Sequence, residues 1–200
     1  MTTVNTVFTY SYNTEGKLSM TIHGQDTSFF SYSGNTITSI DNFSGAFANK
    51  NIITLNANGM ASNARIENDT TGTLWVNYSY EYNGTELIKQ TTTTSDGAAP
   101  SSITFNWSGG NMVEIIDGAS VSKLEYFADK AARAGDYPNL ANLQRGYETF
   151  RTKNSAKSIA TPSAAVSNFS YTYDADGKIT AVTFVTGGDV EAFNYQYECK

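Results

Sequence analysis

Hydrophobic and polar residues alternate with a period of two along most of the 200-residue chain. The clearest example is the stretch 169–185, FSYTYDADGKITAVTFV, which places aromatic residues at Phe169, Tyr171 and Tyr173. A turn containing Gly177 follows, and the chain then resumes with β-branched residues. Successive side chains of a strand point to opposite faces, so this pattern predicts a β-hairpin with one buried face.

Variants of this hairpin unit recur along the chain. Each consists of two aromatic residues with one residue between them, a few polar residues, a glycine and then an aliphatic residue. Turns of this kind contain Gly16, Gly34, Gly84, Gly110 and Gly177. The distance between copies is irregular, which is unlike a solenoid of fixed period. The pattern therefore predicts one long antiparallel meander, with a longer loop at 44–50.

The alternation of aromatic residues stops between residues 128 and 162. Four hydrophobic residues recur there at intervals of three or four and predict a short helix: Leu140, Leu143, Tyr147 and Phe150. Gly146 could end this helix or lie within it, because a glycine is compatible with both positions.

A sheet with one aromatic face has to cover that face, either by curving or by folding into two layers. We expect an all-β fold, a large antiparallel meander that is strongly curved or barrel-like, and keep a flat two-layer sandwich as the alternative. The helix/loop segment 128–162 is expected to cover or fill the concave aromatic face. The domain prediction is a single β-rich domain over 1–200, in which 128–162 is an insertion.

Composition and charge exclude several classes of partner. The net charge is -6 and only 16% of the residues are charged, which argues against nucleic acids and anionic membranes as partners. No apolar run approaches the length of a membrane-spanning helix, so the chain is not expected to span a membrane by helices. The single cysteine, Cys199, cannot form an internal disulfide.

The pieces SYTYDADGKI, VNYSYEYNGTELI and FTYSYNTEGKL carry two resemblances. The segment from Tyr173 to Ile179 resembles the YD repeat of bacterial Rhs-type proteins. The whole chain is similar to a family of cell-envelope domains of unknown function, described as having a porin-like fold, from Gram-negative bacteria. The resemblance implies a domain that is secreted, periplasmic or, as a lipoprotein, anchored to the outer membrane. The start of the chain lacks the basic region and apolar core of a signal peptide, so either the protein is cytoplasmic or a leader has been removed, and the resemblance favours the second.

Residues with catalytic potential are few. His23 is the only histidine, and we expect function to survive its loss. Asp174 and Asp176 fit a turn better than a calcium loop, whose pattern needs further ligands. Glu114 and Asp117 are one of several carboxylate pairs that a glycoside hydrolase could use. Accordingly we expect no catalytic residues, no metal and no cofactor.

Two aromatic residues fall on the polar face of their strands. Trp75 alternates with Val76 and Phe29 with Phe30, so each leaves the predicted buried face. Such aromatics can stack on a sugar ring or anchor a partner, and they can also pack under a loop. We therefore predict a non-enzymatic binding domain for a glycan, a protein or an apolar molecule, with Trp75 and Phe29 as ligand-binding residues. The alternatives are a carboxylate-based hydrolase acting on a glycan, and a carrier that holds a hydrophobic ligand inside a curved sheet.

Overall fold

The computed structural model describes residues 7–137, 140–162 and 164–195, and most of these residues are in β-strands. The first eight strands are β1 (Phe8–Tyr12), β2 (Leu18–His23), β3 (Asp26–Ser33), β4 (Thr36–Phe43), β5 (Ala46–Leu55), β6 (Ala61–Glu67), β7 (Trp75–Asn83) and β8 (Glu86–Thr94). The other elements are β9 (Ser101–Ser108), β10 (Asn111–Asp117), β11 (Ser120–Ala131), α1 (Leu140–Arg145), β12 (Asn154–Ala160), β13 (Ser167–Tyr173), β14 (Ile179–Thr186) and β15 (Asp189–Asn194).

The 15 strands form one sheet whose order, β1 to β15, is the order of the sequence. Neighbouring strands pair antiparallel from β1 to β8 and again from β9 to β15. The predicted all-β antiparallel meander is therefore confirmed. The sheet is not closed, because β1 and β15 are the two ends of the strand order. Among the described residues, no helix has the length and hydrophobicity needed to cross a membrane.

The chain forms two compact units. The first comprises Met1–Ser102 and Gln144–Thr149, and the second comprises Ile103–Leu143 and Phe150–Lys200. The prediction of a single domain over 1–200 stays a prediction.

The core of the first unit follows directly from the alternation in β4 to β7. Ile37 pairs with Ile53, Ile53 with Ala64, and Ala64 with Tyr78, so these side chains form a row across one face of the sheet. Ile53 and Ala64 are fully buried. We call the face that carries this row the inner face and the opposite one the outer face.

The second unit contains a cluster of aromatic rings. Phe169 is buried, and its ring centroid lies 4.4 Å from that of Tyr137 and 5.3 Å from that of Phe184. Phe193 packs edge-on against Phe184, with ring centroids 5.3 Å apart. The alternating aromatics of the closing hairpins are thus used for core packing.

The prediction that a helix/loop segment over 128–162 covers or fills the aromatic face is not supported. Much of that segment is strand, since it contains the end of β11 and all of β12, and α1 has only six residues. The pattern missed β12 because its buried positions are the small residues Ser155, Ala156 and Ser158 and not aromatics. Leu140 is buried and Phe150 half-buried, whereas the side chain of Leu143 lies outside the described residues, as does Cys199.

The predicted loop at 44–50 is also wrong. β4 ends at Phe43 and β5 begins at Ala46, so Ser44 and Gly45 alone connect them. Both have positive φ, 49° and 81°, as a two-residue hairpin turn of type I′ requires. The backbone N–H of Ser44 donates to Asp26 Oδ1 at 2.9 Å, which supports this conformation from the neighbouring hairpin.

Tyrosine hydroxyls bind the preceding strand in both units. A buried phenol needs an acceptor for its O–H, and here the acceptor is a backbone carbonyl oxygen. The donor–acceptor pairs are Tyr32 to Leu18 at 2.7 Å, Tyr82 to Ala61 at 2.6 Å, Tyr126 to Met112 at 2.7 Å and Tyr171 to Ala156 at 2.8 Å. The recurring aromatic residues of the hairpin unit therefore include members that link neighbouring strands.

The turn before β14 allows a test of the predicted role of its glycine. Gly177 has φ 76°, and Asp174 Oδ1 accepts the N–H groups of Asp176 and Lys178 at 3.0 and 2.8 Å. We expect Gly177→Val to lower the free energy of unfolding by about 1–2 kcal/mol, because a β-carbon disfavours this conformation. Chemical denaturation measures the loss, and Ala175→Val in the same turn is the control. Equal effects of the two substitutions would contradict the prediction.

Candidate functional site

The inner face of the first unit changes from apolar to polar along its strands. Two residues beyond the row of Ile37 and Ile53, Ser39 pairs with Phe30 and with Asn51. Two residues further, Asp41 pairs with Ser28 and with Asn49. These polar residues continue the phase of the apolar core, so they lie on the same face of the sheet as the row of Ile37 and Ile53.

Asn51 is the centre of a hydrogen-bond network among these polar residues. Its Nδ2 atom, which carries two hydrogens, lies within hydrogen-bonding distance of three acceptors: Ser39 Oγ at 2.8 Å, Asp41 Oδ2 at 2.9 Å and Asn49 Oδ1 at 3.0 Å. Ser39 is buried, and the others are half-buried. Since each of these side chains is held by the same amide, the network fixes the orientation of a polar floor.

A cavity of about 360 Å³ lies above this floor, and we call it the Asn51 cavity. Aromatic side chains from three regions of the first unit form its walls, and a guanidinium group stands among them. Besides the floor residues, the lining consists of Ser28, Phe30, Ile66, Tyr78, Tyr80, Gln90, Arg145 and Tyr147. The cavity therefore combines flat apolar surfaces with hydrogen-bonding groups of both kinds.

A glycine ends α1 and turns the chain at residues 145–147. α1 ends at Arg145, and Gly146 follows with φ 72°, which is the left-handed conformation that commonly terminates a helix. This answers the question that the sequence left open about Gly146. The turn places Arg145 and Tyr147, on its two sides, in the wall of the cavity.

Two phenols of the cavity, the buried Tyr80 and the half-buried Tyr147, stay neutral at physiological pH. Burial raises the pKa of Tyr80 well above its usual range, and the nearby Tyr147 adds to the shift. Burial also raises the pKa of Tyr147, while the Arg145 guanidinium lowers it by a smaller amount. The two hydroxyls share a hydrogen bond. They can thus offer a ligand hydrogen bonds but no charge.

The charged groups of the cavity are Asp41 and Arg145. The side chain of Arg145 is exposed, and within the described ranges no carboxylate forms an ion pair with it. Asp41 Oδ2 is already engaged by Asn51. Arg145 is consequently the group of the cavity best placed to bind an oxygen atom of a ligand.

The structure places both predicted ligand-binding aromatics on the outer face. A single cross-strand row joins them: Phe29 pairs with Ile40, Ile40 with Lys50, Lys50 with Glu67, and Glu67 with Trp75. Four strand spacings separate Phe29 from Trp75, about 19 Å, so the fold aligns them but does not bring them together. Phe29 is 48% exposed, whereas Trp75 is half-buried under the Arg65 guanidinium, 4.7 Å from the ring centroid.

The other candidate residues take separate positions. His23 stacks on Phe8 with ring centroids 4.2 Å apart and planes 11° apart. Glu114 and Asp117 lie three residues apart in the regular part of β10, so they point to opposite faces and do not form a facing pair. No group of three or more His, Cys, Asp or Glu side chains among the described residues is arranged to hold a metal ion.

The chain resembles proteins of known structure along most of its length. A model of the family described as "Domain of unknown function (DUF4595) with porin-like fold" matches residues 7–181. A porin-like protein from Bacteroides uniformis is 18% identical, covers 96% of this chain and 90% of its own, and has a TM-score of 0.69. A porin-like protein from Bacteroides vulgatus is 13% identical, with coverages of 94% and 92% and a TM-score of 0.59.

These likenesses concern the fold. The resemblance to a porin-like family is confirmed, and the resemblance to YD repeats gains no support from the comparisons. The search of curated proteins found no match.

Proposed function

We propose that this chain, which belongs to the family described as "Domain of unknown function (DUF4595) with porin-like fold", is a non-enzymatic binding domain for saccharides. The ligand would be a small hydroxylated molecule held in the Asn51 cavity. The observation that carries the proposal is the polar floor around Asn51, which continues the phase of the apolar core and is enclosed by aromatic side chains. The two Bacteroides proteins contribute the fold to this proposal, and their descriptions name no ligand.

A sugar ring matches both surfaces of the cavity. Its hydroxyl groups donate and accept hydrogen bonds, as do the amides of Asn49 and Asn51, and its C–H faces pack on aromatic rings. An apolar ligand, as a hydrophobic carrier would hold, matches it less well. Such a ligand would displace water from the polar floor without replacing the hydrogen bonds that the water makes. Each buried polar group left without a hydrogen bond costs about 1–3 kcal/mol.

The non-enzymatic part of the proposal is supported by the acidic groups of the cavity. Glycoside hydrolysis usually requires two carboxylates flanking the bond. Asp41 is the sole carboxylate among the described residues that line the Asn51 cavity. Release of reducing sugar from a bound saccharide would contradict this part of the proposal and favour the hydrolase alternative.

Arg145→Ala should weaken saccharide binding by roughly tenfold or more, because a hydrogen bond to a charged group contributes about 1.5–3 kcal/mol. A saccharide selected on a glycan array, titrated into the protein in a calorimeter, gives the affinity. Lys89→Ala is the matched control. Lys89 forms an ion pair with Glu81 at 3.1 Å. It points to the face of β8 opposite to that of its neighbour Gln90, which lines the cavity, so its substitution removes a cation without touching the site.

Variants of the outer row test the rival location of the site. If Trp75→Ala or Phe29→Ala abolished binding while Arg145→Ala retained it, the ligand would bind the outer row and the Asn51 cavity would be the wrong site. Both outer-row variants are expected to bind the saccharide with unchanged affinity when the cavity is the site. The same titration therefore decides between the two faces.

A secreted or cell-envelope location belongs to the same proposal. It is supported by the low charged fraction of 16% and by the porin-like description of the two Bacteroides proteins. Immunodetection in separated envelope, medium and cytoplasmic fractions of the source cells tests it. Recovery of the protein from the cytoplasmic fraction alone would contradict it.

A further inference from the structure

A second cavity of about 300 Å³ opens beside the Asn51 cavity in the first unit, and we call it the His23 cavity. The two cavities share three lining residues, Ser28, Asp41 and Asn49. These three form a single cross-strand row on the inner face. One polar row is thus the common wall of both spaces.

The pairing register shows that the two cavities follow one another along the direction of the strands. Asp26, Ser28 and Phe30 succeed one another at intervals of two on β3, and each belongs to a different cross-strand row. The Phe30 row borders the Asn51 cavity, and the Asp26 row borders the His23 cavity. Two residues of a strand span about 6.6 Å, so the outer two rows lie about 13 Å apart. This distance exceeds the length of a single sugar ring.

The His23 cavity repeats the chemistry of its neighbour. Phe8 stacks on His23 and, with ring centroids 6.5 Å apart, on Tyr10. Polar residues line the same cavity, among them Asp26, Asn42 and Asn49. Aromatic surface and hydrogen-bonding groups therefore meet in both cavities.

Phe43 at the rim of the His23 cavity has no evident structural role. It lines the cavity, and the residue is 67% exposed. The Ser44–Gly45 turn, whose Ser44 has a positive φ and is held by Asp26, directly follows it. The fold therefore presents an exposed phenyl ring beside the cavity, at the end of β4.

We propose that the Asn51 and His23 cavities are adjoining subsites of one groove that binds a linear oligosaccharide. This inference rests on the proposed saccharide-binding function and extends it from a single ring to a chain. One sugar ring would lie in the Asn51 cavity. The next would lie in the His23 cavity against Phe43, with the shared row of Ser28, Asp41 and Asn49 beside the linkage.

The test measures how affinity depends on ligand length. The probes are glucose, galactose, mannose and N-acetylglucosamine, each with its homo-oligomers, titrated into the full chain in a calorimeter. We expect the best oligomer to bind the native protein roughly tenfold more tightly than its monosaccharide. Phe43→Ala should remove this gain and leave the affinity for the monosaccharide unchanged. Leu74→Ala, at a similarly exposed position outside both cavities, is the control and should keep the gain.

Each other outcome decides against a defined part of the proposal. Equal affinities for the monosaccharide and its oligomers would overturn the extended groove and leave the saccharide function standing. A length-dependent gain that persists in Phe43→Ala, with an unchanged circular dichroism spectrum, would overturn the assignment of the second subsite. Failure of every probe to bind the native protein would overturn both the groove and the proposed function.

Discussion

Gly146→Ala should lower the free energy of unfolding by about 2–5 kcal/mol, because two unfavourable effects coincide at this residue. Its φ of 72° is disfavoured for any residue with a β-carbon. That β-carbon would also lie 2.7 Å from Phe30 Cε1 and 3.2 Å from Leu18 Cδ2. Leu18 is buried and Phe30 lines the Asn51 cavity, so relief of the contact would move a core residue or a wall of the site.

Gly16→Ala separates the two effects. Gly16 has nearly the same φ, 73°, but nothing lies within 4 Å of the position where its β-carbon would be. The control should therefore show the backbone cost alone, about 1–2 kcal/mol. Denaturant titration of both variants gives the difference that is due to the contact with Phe30. Equal losses in the two variants would mean that the Phe30 ring moves aside without cost.

The second large effect is a loss of stability in alkaline solution. Burial raises the pKa of Tyr80, Tyr126 and Tyr171 far above the ordinary phenol value. In the unfolded chain these groups titrate near pH 10, so above that pH the folded state binds more protons than the unfolded state. Their contribution to stability is complete below about pH 10 and is lost as the pH rises further. Each such group lowers the free energy of unfolding by at most about 1.4 kcal/mol per pH unit.

The alkaline loss should become less steep in Tyr171→Phe. The hydroxyl of Tyr171 donates to the carbonyl oxygens of Ala156 and Tyr137 at 2.8 and 3.2 Å, so the variant is also expected to be less stable at neutral pH. Urea titrations from pH 8 to 11 measure the slope, and phenolate absorbance monitors the ionisation. A free energy of unfolding of the native protein that stayed constant over this pH range would contradict the prediction.

The sequence predicts the meander well because each hairpin is specified by neighbouring residues. Alternating side chains define a strand, and a glycine between two strands defines the turn, as at Gly177 with its positive φ. β12 escaped prediction because Ser155, Ala156 and Ser158 are buried without being aromatic or β-branched. The two-residue turn at Ser44 was not predicted because a serine rarely adopts a positive φ. The stretch 44–50 was therefore interpreted as a longer loop.

The Asn51 cavity was only partly accessible from the sequence. Ser39 and Asp41 continue the phase of Ile37, which is a signal that polar groups lie on the apolar face. Their proximity to Asn49 and Asn51 depends on the pairing of β4 with β5, which the mistaken loop at 44–50 obscured. Likewise, the outward positions of Trp75 and Phe29 followed from alternation, but their common row depends on the register across β3 to β7.

The identity of strand order and sequence order has a consequence for how the chain folds. Every strand finds its hydrogen-bonding partners in the strands just before and just after it in sequence. Closing the short turns within the hairpins costs little chain entropy, although the connection between β11 and β12 is longer and contains α1. Local pairing of this kind lowers the contact order, and a low contact order accompanies fast folding among small domains. A nascent chain can therefore pair each hairpin as it leaves the ribosome, without waiting for a distant strand. By the same logic, gain or loss of a whole hairpin would change the length of the sheet while leaving all other strand pairs intact.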